Sequence, residues 1–255
     1  MPGLLKTEAV VLRSIRYGEA DRILHLYTPR HGRLGAIAKG VRRTRSRFGA
    51  RLEPFLHVRM VLHEGRGELH TVTSVDTVEP HRGLREQAET LDAAARICDA
   101  VARLFESTEA HPEVFTLLIN ELALLSRDPA QARAANGLAF RLKLLLAAGI
   151  LPQLASCAAC GESDGLCAFS PAAGGVVCGS CEGAAFPLDE EAYEFMVTAI
   201  GRPLAEAPVA SERALRQVER AIAETAAHHA HVRLAPVHSM AAPLVRAARP
   251  ASGEV

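Results

Sequence analysis

The chain has 255 residues, of which 49% are hydrophobic and 23% charged, and its 29 basic side chains balance 29 acidic ones. This composition is typical of a globular protein with two or three domains and excludes a largely disordered chain. No apolar run reaches the ~18 residues that a membrane span needs, and charges interrupt the apolar stretches near the N-terminus. We therefore expect no membrane segment, no signal peptide and a cytoplasmic location.

The first 51 residues differ strongly in net charge from the rest of the chain. Residues 1–51 carry 12 basic and 3 acidic side chains, a net charge of +9, whereas the remainder carries 17 basic and 26 acidic ones, a net charge of −9. Such a separation of charge indicates that the first part of the chain binds a polyanion.

The first eighty residues have the pattern of short β-strands. In HVRMVLH, the apolar residues Val58, Met60 and Leu62 recur with a period of two, which predicts one buried face. Five segments rich in Val, Ile, Leu and Thr are separated by turn signals such as YGEAD and TPRHG: AVVLRSI, RILHLYT, RLGAIAK, FLHVRMVLH and ELHTVTSVDTV. Five strands of this length favour a small barrel or sandwich, and an OB-type barrel is one such structure.

After Pro80 the apolar period becomes helical. One helix is predicted from Leu91 and a second over PEVFTLLINELALLS. A third has Asp128 as its N-cap and continues through AFRLKLLLAAG; its apolar residues occupy most faces, which predicts a central position in a helical bundle. Asp189 and Ser211 are predicted to cap two later helices.

Four cysteines form two C-x-x-C pairs, Cys157 with Cys160 and Cys178 with Cys181, separated by 17 residues. This spacing lies within the range of zinc sites, because two tight turns can direct four thiolates to one tetrahedral point. A disulfide or a thioredoxin-like site is less favoured, and an iron centre with four thiolates stays open. A closed four-cysteine site predicts one structural zinc ion rather than a catalytic one.

The remaining cysteines and a histidine cluster have simpler interpretations. Cys98 lies on the apolar stripe of its helix and is predicted to be buried. Cys167 is a spare ligand or, more simply, a plain thiol. His228, His229 and His231 could bind metal, but the solvated end of a helix explains them more simply.

A basic segment, residues 38–52, follows the third predicted strand. With Arg33 just before it, seven cations occur without a carboxylate: Arg33, Lys39, Arg42, Arg43, Arg45, Arg47 and Arg51. Like charges this close repel one another unless an anion screens them, although a solvated loop is the alternative interpretation. On a small barrel such a segment would border a groove for oligonucleotides. Phe48, Tyr17, Tyr27 and Phe55 could stack on bases, but a place in the core is as good an interpretation for the last three.

No motif for a phosphate-binding loop, a zinc protease, a serine hydrolase or a dinucleotide site occurs in the sequence. This favours a binding protein over an enzyme. Two alternatives stay open: an accessory factor that binds RNA through its barrel, and a zinc-dependent enzyme such as a deaminase. The deaminase would need a His or Glu beside the cysteines, and CAAC offers neither.

Four stretches of the sequence resemble the bacterial recombination mediator family RecO: YGEADRI (17–23), AKGVRRTRSR (38–47), FRLKLLLAAGILPQLASCAACG (140–161) and CGSC (178–181). The resemblance implies an α+β protein with an N-terminal OB-fold at 1–80, a helical domain at 81–151 and 188–255, and a zinc module inserted at 152–187.

The resemblance also implies a function. Family members are non-enzymatic, nucleoid-associated proteins that bind single- and double-stranded DNA and anneal complementary strands. They work with RecR, contact the acidic tail of single-strand-binding protein and help load RecA. By matched motif, Lys39, Arg42, Arg43, Arg45 and Arg47 are the expected DNA contacts. Arg141 and Lys143 are plausible members of the tail pocket, although a helix that exposes two cations is the simpler account.

Overall fold

The computed structural model describes residues 3–42, 46, 48, 50–65, 67 and 69–237. Three arginines of the basic segment, Arg43, Arg45 and Arg47, lie outside the described residues. Within the described part of the chain, no helix is both long and apolar enough to cross a membrane.

The N-terminal part is a closed five-stranded barrel, which confirms the predicted OB-type fold. Its strands are β1 (Leu4–Tyr17), β2 (Asp21–Thr28), β3 (Gly32–Ala38), β4 (His57–His63) and β5 (Leu69–Glu79). They follow the order β1-β2-β3-β5-β4, and β4 closes the barrel by pairing with β1. The β3–β5 pair is parallel and the others are antiparallel.

The barrel interior follows from the alternation of side chains along each strand. Val58, Met60 and Leu62 of β4 are buried, as predicted, whereas Arg59 between them points outward and is exposed. The long strand β1 pairs with β4 through its first half and with β2 through its second half. One strand with two partners allows a five-stranded sheet to close.

The connection from β3 to β4, which contains most of the basic segment, packs on the barrel interior. Val41, Phe48, Leu52 and Leu56 are buried in the same apolar cluster as the barrel interior. The apolar side chains of this connection therefore hold it against the barrel, although it contains no strand or α-helix in its described residues.

The C-terminal part is built on five helices in its described residues: α1 (Ala88–Leu104), α2 (Pro112–Arg127), α3 (Ala134–Ala147), α4 (Glu190–Gly201) and α5 (Glu212–His229). Helix α3 contacts each of the other four and is buried on most faces, which confirms its predicted central position. Cys98 of α1 is buried, also as predicted.

The predicted start of α3 was wrong. The Asp128 side chain accepts a hydrogen bond from the N–H of Ala130, but the element that it caps is a short 3₁₀ helix, Pro129–Gln131. Helix α3 begins only at Ala134, because the chain first turns at Ala132 and Arg133. The prediction for Ser211 is confirmed, since its Oγ accepts from the N–H of Ala214 at 3.3 Å at the start of α5.

Asp189 precedes α4 as predicted, but its side chain makes no capping hydrogen bond. The carboxylate instead pairs with Arg213 of α5 at 2.8 Å. The ion pair therefore replaces the predicted cap and joins the starts of two helices.

A small sheet lies between α3 and α4 in the chain. Its strands are β6 (Leu166–Ser170), β7 (Gly175–Cys178) and β8 (Phe186–Pro187), in the order β7-β6-β8. Phe169, Val176 and Phe186 pack into the helical core, whereas Ala168 and Val177 cover the cysteines. Since neighbouring residues of a strand face opposite sides, the sheet joins the cysteine cluster to the helices.

The barrel packs directly on the helical part. Tyr27 of the barrel stacks edge to face on Phe105, with ring centroids 6.3 Å apart. The backbone N–H of Arg33 donates to the carbonyl oxygen of Ser107 at 3.0 Å. At the neighbouring Gly32, where φ is 50°, a Cβ atom would lie 2.3 Å from the carbonyl oxygen of Glu109, so the contact requires glycine.

Candidate metal centre and nucleic-acid interface

The four predicted cysteines come together in one cluster. The sulfur atoms of Cys157, Cys160, Cys178 and Cys181 all lie within 4.8 Å of one another. The sulfurs of Cys160 and Cys178 are 3.7 Å apart. Four thiolates around zinc at ~2.3 Å would have neighbouring sulfurs about 3.8 Å apart, so the geometry fits a tetrahedral ion.

The backbone around the cluster favours thiolates. The N–H of Cys178 donates to the sulfur of Cys157 at 3.4 Å, and this bond is the largest cause that lowers the pKa of Cys157 to about 6. Hydrogen bonds to neighbouring sulfurs, that of Cys160 first, raise the pKa of Cys181. A cation at the centre would replace the protons that the neighbouring sulfurs share, because a metal-bound thiol is deprotonated.

Each cysteine pair is held by a tight turn. Gly161, with φ of 82°, donates its N–H to the carbonyl oxygen of Cys157 at 2.8 Å and closes the first turn. The second pair lies at the end of β7 and in the short 3₁₀ helix that follows it. The N–H of Ala158 in the first turn donates to the carbonyl oxygen of Val176 in β7 at 2.8 Å, so the two turns bring the pairs together beside β7.

The other candidate ligands stay outside this cluster. Cys167 of β6 is exposed, and the group of four cysteines does not include it. His228 and His229 lie exposed in the last turn of α5, and His231 is exposed just beyond it. Their positions agree with the plain thiol and the solvated helix end that were predicted.

The basic segment is anchored beside the turn between β1 and β2. The N–H of Gly40 donates to a carboxylate oxygen of Asp21 at 2.7 Å. The N–H of Arg42 donates to the carbonyl oxygen of Ala20 at 2.9 Å. These bonds fix the backbone while the side chains of Lys39 and Arg42 stay exposed.

The exposed cations of this segment are weakly compensated. In the described part of the chain, neither Lys39 nor Arg42 makes an ion pair, whereas the nearby Glu53 pairs with Arg22 at 3.0 Å. Arg51 is exposed on the same connection. Glu53 is thus already neutralised by an arginine outside the predicted set.

Arg33 has a different environment from the basic segment. Its guanidinium donates to the carbonyl oxygen of Ala102 at 3.1 Å and lies 3.6 Å from the carboxylate of Glu106. This side chain therefore joins the barrel to α1 and the loop after it. Its role as a DNA contact stays a prediction.

Two exposed arginines, Arg82 and Arg85, extend the cationic surface, and sequence reasoning did not find them. They line a concavity together with Arg51 and Glu53, and Arg85 donates to the carbonyl oxygen of Pro54 at 2.8 Å. They follow β5 in the chain, about thirty residues after the basic segment, so no local pattern connects them to it.

The proposed stacking residues are mostly buried. Phe48 lies in the barrel interior, so its predicted role in base stacking is wrong. Tyr27 and Phe55 pack against the helical core. Tyr17, 54% exposed at the end of β1, is the aromatic side chain of the four that solvent reaches.

Of the two cations of α3, Arg141 is buried and Lys143 is half-buried. Arg141 is 3% exposed, donates to the carbonyl oxygen of Ala235 and lies 3.9 Å from the carboxylate of Glu219. The ammonium of Lys143 donates to the carbonyl oxygen of Ile200 at 2.7 Å. The simpler account of two exposed cations was therefore wrong: Arg141 is buried where other helices pack on α3, and Lys143 is half-buried.

The fold and the two sites define an OB-barrel protein with a cationic surface, joined to a helical domain that carries a four-cysteine module. Residues 1–81 match the family model described as recombination protein O N terminal, and residues 85–235 match the one described as recombination protein O C terminal. The chain therefore belongs to the RecO family of DNA repair and recombination proteins, as the sequence motifs suggested.

Individual relatives agree with this assignment. DNA repair protein RecO of Rubrobacter xylanophilus is 40% identical over 227 residues, which cover 86% of this chain and 90% of the relative. The protein of the same name from an Anaeromyxobacter species is 33% identical over 240 residues, covering 91% and 93%. That from Alkaliphilus metalliredigens is 37% identical over 181 residues, covering 71% and 73%.

Proposed function

We propose that this protein is a non-enzymatic mediator of DNA repair that binds single- and double-stranded DNA and anneals complementary strands. With RecR it helps load RecA onto DNA coated by single-strand-binding protein. The observation that carries the proposal is the basic segment, whose backbone is anchored to the barrel beside the β1–β2 turn while Lys39 and Arg42 stay exposed. Membership of a family of DNA repair proteins supports DNA as the polyanion.

The binding mode follows from the side chains that the barrel offers. The contacts proposed are Arg33, Lys39, Arg42, Arg43, Arg45, Arg47 and Arg51, to which the structure adds Arg82 and Arg85 as neighbours. Cations contact phosphates, which carry no sequence information. Since Tyr17 is the exposed aromatic side chain of the four considered, stacking contributes little and binding is independent of sequence.

A single structural zinc ion is proposed for Cys157, Cys160, Cys178 and Cys181. Four sulfurs within 4.8 Å of one another suit zinc and leave no position for a substrate. The ion would hold the two turns together, and the small sheet would transmit that order to the helical core through Phe169 and Val176. Its chemistry would be structural, with no step in a reaction.

The acidic tail of single-strand-binding protein is proposed to bind the helical domain. A cavity of about 170 Å³ between α1, α2 and α3 is lined by Arg96, Arg133 and Arg141 and by apolar Ile97 and Leu125. Its lining also holds Glu89, Asp92 and Glu121, and Asp92 pairs with Arg96 at 2.7 Å. Arginines beside apolar side chains suit a peptide that ends in a carboxylate. Carbonyl oxygens of residues 235 and 236 now accept hydrogen bonds from two of these arginines, so this segment would have to move when the tail binds.

The decisive experiment is annealing of complementary strands that are first coated with single-strand-binding protein. We expect the protein to accelerate annealing without ATP, and its mixture with RecR to support formation of RecA filaments on the coated strand. Competition between single-stranded DNA and RNA of equal length tests the alternative RNA-binding function. Failure to anneal, or clear preference for RNA, would contradict the proposal.

A further inference from the structure

A second cationic concavity lies on the barrel, away from the basic segment. It has a volume of about 370 Å³ and is lined by Lys6, Thr7, Glu8, Pro29, Arg30 and Arg59. It forms where β1 passes from β2 to β4: Val10 pairs with Tyr27 of β2 and also with His57 of β4, and residues 4–9 pair with β4 alone. The turn after β2 therefore runs alongside the first half of β1 without pairing to it.

This turn is held firmly. The Thr28 hydroxyl donates to the carbonyl oxygen of Gly32 at 3.1 Å and accepts from the N–H of His31 at 3.1 Å. Gly32 packs against the carbonyl oxygens of Ser107 and Glu109. Arg30, exposed at the tip, is thus presented on a rigid turn, which lowers the entropy that its backbone loses on binding a ligand.

The charges around the concavity do not balance. Glu8 accepts from Arg59 at 2.9 Å and lies 3.1 Å from a ring nitrogen of His57, and the hydrogen bond from Arg59 is the first cause that lowers the pKa of Glu8. In the described residues, Lys6 and Arg30 are exposed and have no ion pair. One carboxylate therefore offsets one of three cations, and the two that remain favour an anion.

The two cationic surfaces lie at opposite ends of β2. Asp21, at the start of the strand, holds Gly40 of the basic segment, whereas Arg30 follows the end of the strand at Thr28. Strand β2 has eight residues, so seven steps of ~3.3 Å separate its two ends by about 23 Å. That length exceeds the reach of one side chain, so the surfaces can hold separate phosphates.

We propose that the concavity of Lys6, Arg30 and Arg59 binds the phosphate backbone of a second DNA strand while the basic segment holds the first. The site rests on the proposed function, since it gives annealing a place for each strand on one barrel. It is distinct from the basic segment in sequence and in position, and its cations come from β1, β4 and the turn between β2 and β3.

The test uses the full chain and two non-complementary oligonucleotides of about 12 nucleotides, within the ~4–16 that one OB fold covers. One carries a donor dye and the other an acceptor, and sedimentation counts the strands per chain. The variant is Lys6→Ala/Arg30→Ala. The control is Arg127→Ala/Arg202→Ala, which removes the same charge from exposed positions of the helical domain.

We expect energy transfer with the wild type and with the control. The Lys6→Ala/Arg30→Ala variant should keep the affinity of the first binding step but bind the second strand, whichever oligonucleotide it is, about 10- to 30-fold more weakly at ~0.1 M salt, because two phosphate contacts are lost. Annealing should slow accordingly.

Unchanged energy transfer in the variant would overturn the proposal, as would a wild type that binds one strand and never two. Equal weakening of the first and the second binding step would show that one strand spans both surfaces, which also overturns it. A wild type that binds no DNA would instead contradict the proposed function itself. If the wild type binds one strand and a variant of the basic segment loses it, the proposed function stands and only the second site is overturned.

Discussion

The backbone N–H of Arg42 donates to the carbonyl oxygen of Ala20 at 2.9 Å, and this bond fastens the basic segment to the turn between β1 and β2. The bond uses the backbone alone, so the guanidinium stays exposed. Substitution of the side chain should therefore change the surface charge while the segment keeps its position.

The first prediction concerns the salt dependence of DNA binding. If about five cations contact phosphates, log K against log salt on single strands has a slope near −3.5, and raising salt from ~50 to ~200 mM weakens binding roughly a hundredfold. Lys39→Ala/Arg42→Ala/Arg43→Ala should flatten the slope by about two, at ~0.7 for each lost contact, and to the same extent for two unrelated sequences. Fluorescence titrations at several salt concentrations measure this.

The matched control is Arg127→Ala/Arg202→Ala/Arg216→Ala, which removes three exposed charges from the helical domain. Thermal melts should show both variants folded, since exposed charges contribute little to stability. An unchanged slope in a folded Lys39/Arg42/Arg43 variant would mean that the segment is only a solvated loop.

The second prediction concerns the metal. Purified protein should contain about one zinc ion per chain, as expected for one four-thiolate site. Cys157→Ser/Cys178→Ser should lose the metal and lower the melting temperature, because structural zinc contributes to folding. The control Cys167→Ser, which lies outside the cluster, should keep a full equivalent of zinc. Elemental analysis and thermal melts measure both, and a metal-free wild type purified without chelators would refute the site.

The third prediction concerns the packing of the barrel on the helical part. Gly32 and Gly18 have nearly equal φ values, 50° and 52°, but a Cβ would lie 2.3 Å from a carbonyl oxygen at Gly32 and meets nothing within 4 Å at Gly18. Alanine at either position should lower the free energy of unfolding by ~1–2 kcal/mol through backbone strain. Gly32→Ala should lower the free energy of unfolding clearly more, because the backbone that its Cβ would meet must also move. Equal losses in urea unfolding would show that the close contact is unimportant.

The fourth prediction concerns a buried carboxyl. Burial raises the pKa of Glu121 to about 8, and its oxygens have no hydrogen-bond partner. Because the folded pKa lies above the unfolded one, the folded state loses stability as pH rises from about 4.5 to 8, by up to ~1.4 kcal/mol per pH unit. Glu121→Gln cannot ionise, so it should exceed the wild type in stability by a few kcal/mol near pH 8 and by little near pH 4.5.

Urea unfolding at several pH values measures this difference. Glu89→Gln is the control, because Glu89 lines the same cavity but is exposed. A stability difference for Glu121→Gln that does not change with pH would argue that the carboxyl is ionised and partnered in solution.

Several features of the site were predictable from local sequence. The period of two in β4 indicated a buried face, and Val58, Met60 and Leu62 are indeed inside the barrel. The spacing of the C-x-x-C pairs indicated a cluster, and the four sulfurs are within 4.8 Å. Both signals are local because a strand or a tight turn determines where its own side chains point.

Other features depended on contacts between distant segments. The burial of Arg141 requires α3 to be surrounded, and residue 235, which accepts its hydrogen bond, lies 94 residues away. The placement of Phe48 inside the barrel depends on how the β3–β4 connection packs on the barrel interior. Asp128 has the chemistry of a cap, but the chain geometry after it decided that a 3₁₀ helix follows.

The amino-acid sequence by itself determined the five strands, the order of barrel, helices and cysteine module, the four thiolates and the density of arginine at residues 38–52, because each of these is a local pattern. Only the tertiary structure decided which cations share a surface. Arg51 lines one concavity with Arg82 and Arg85, and Lys6 lines another with Arg30 and Arg59. Arg33 instead joins the barrel to α1. The physical reason is that barrel closure and helix packing bring together residues that are far apart along the chain, and no local pattern records those contacts.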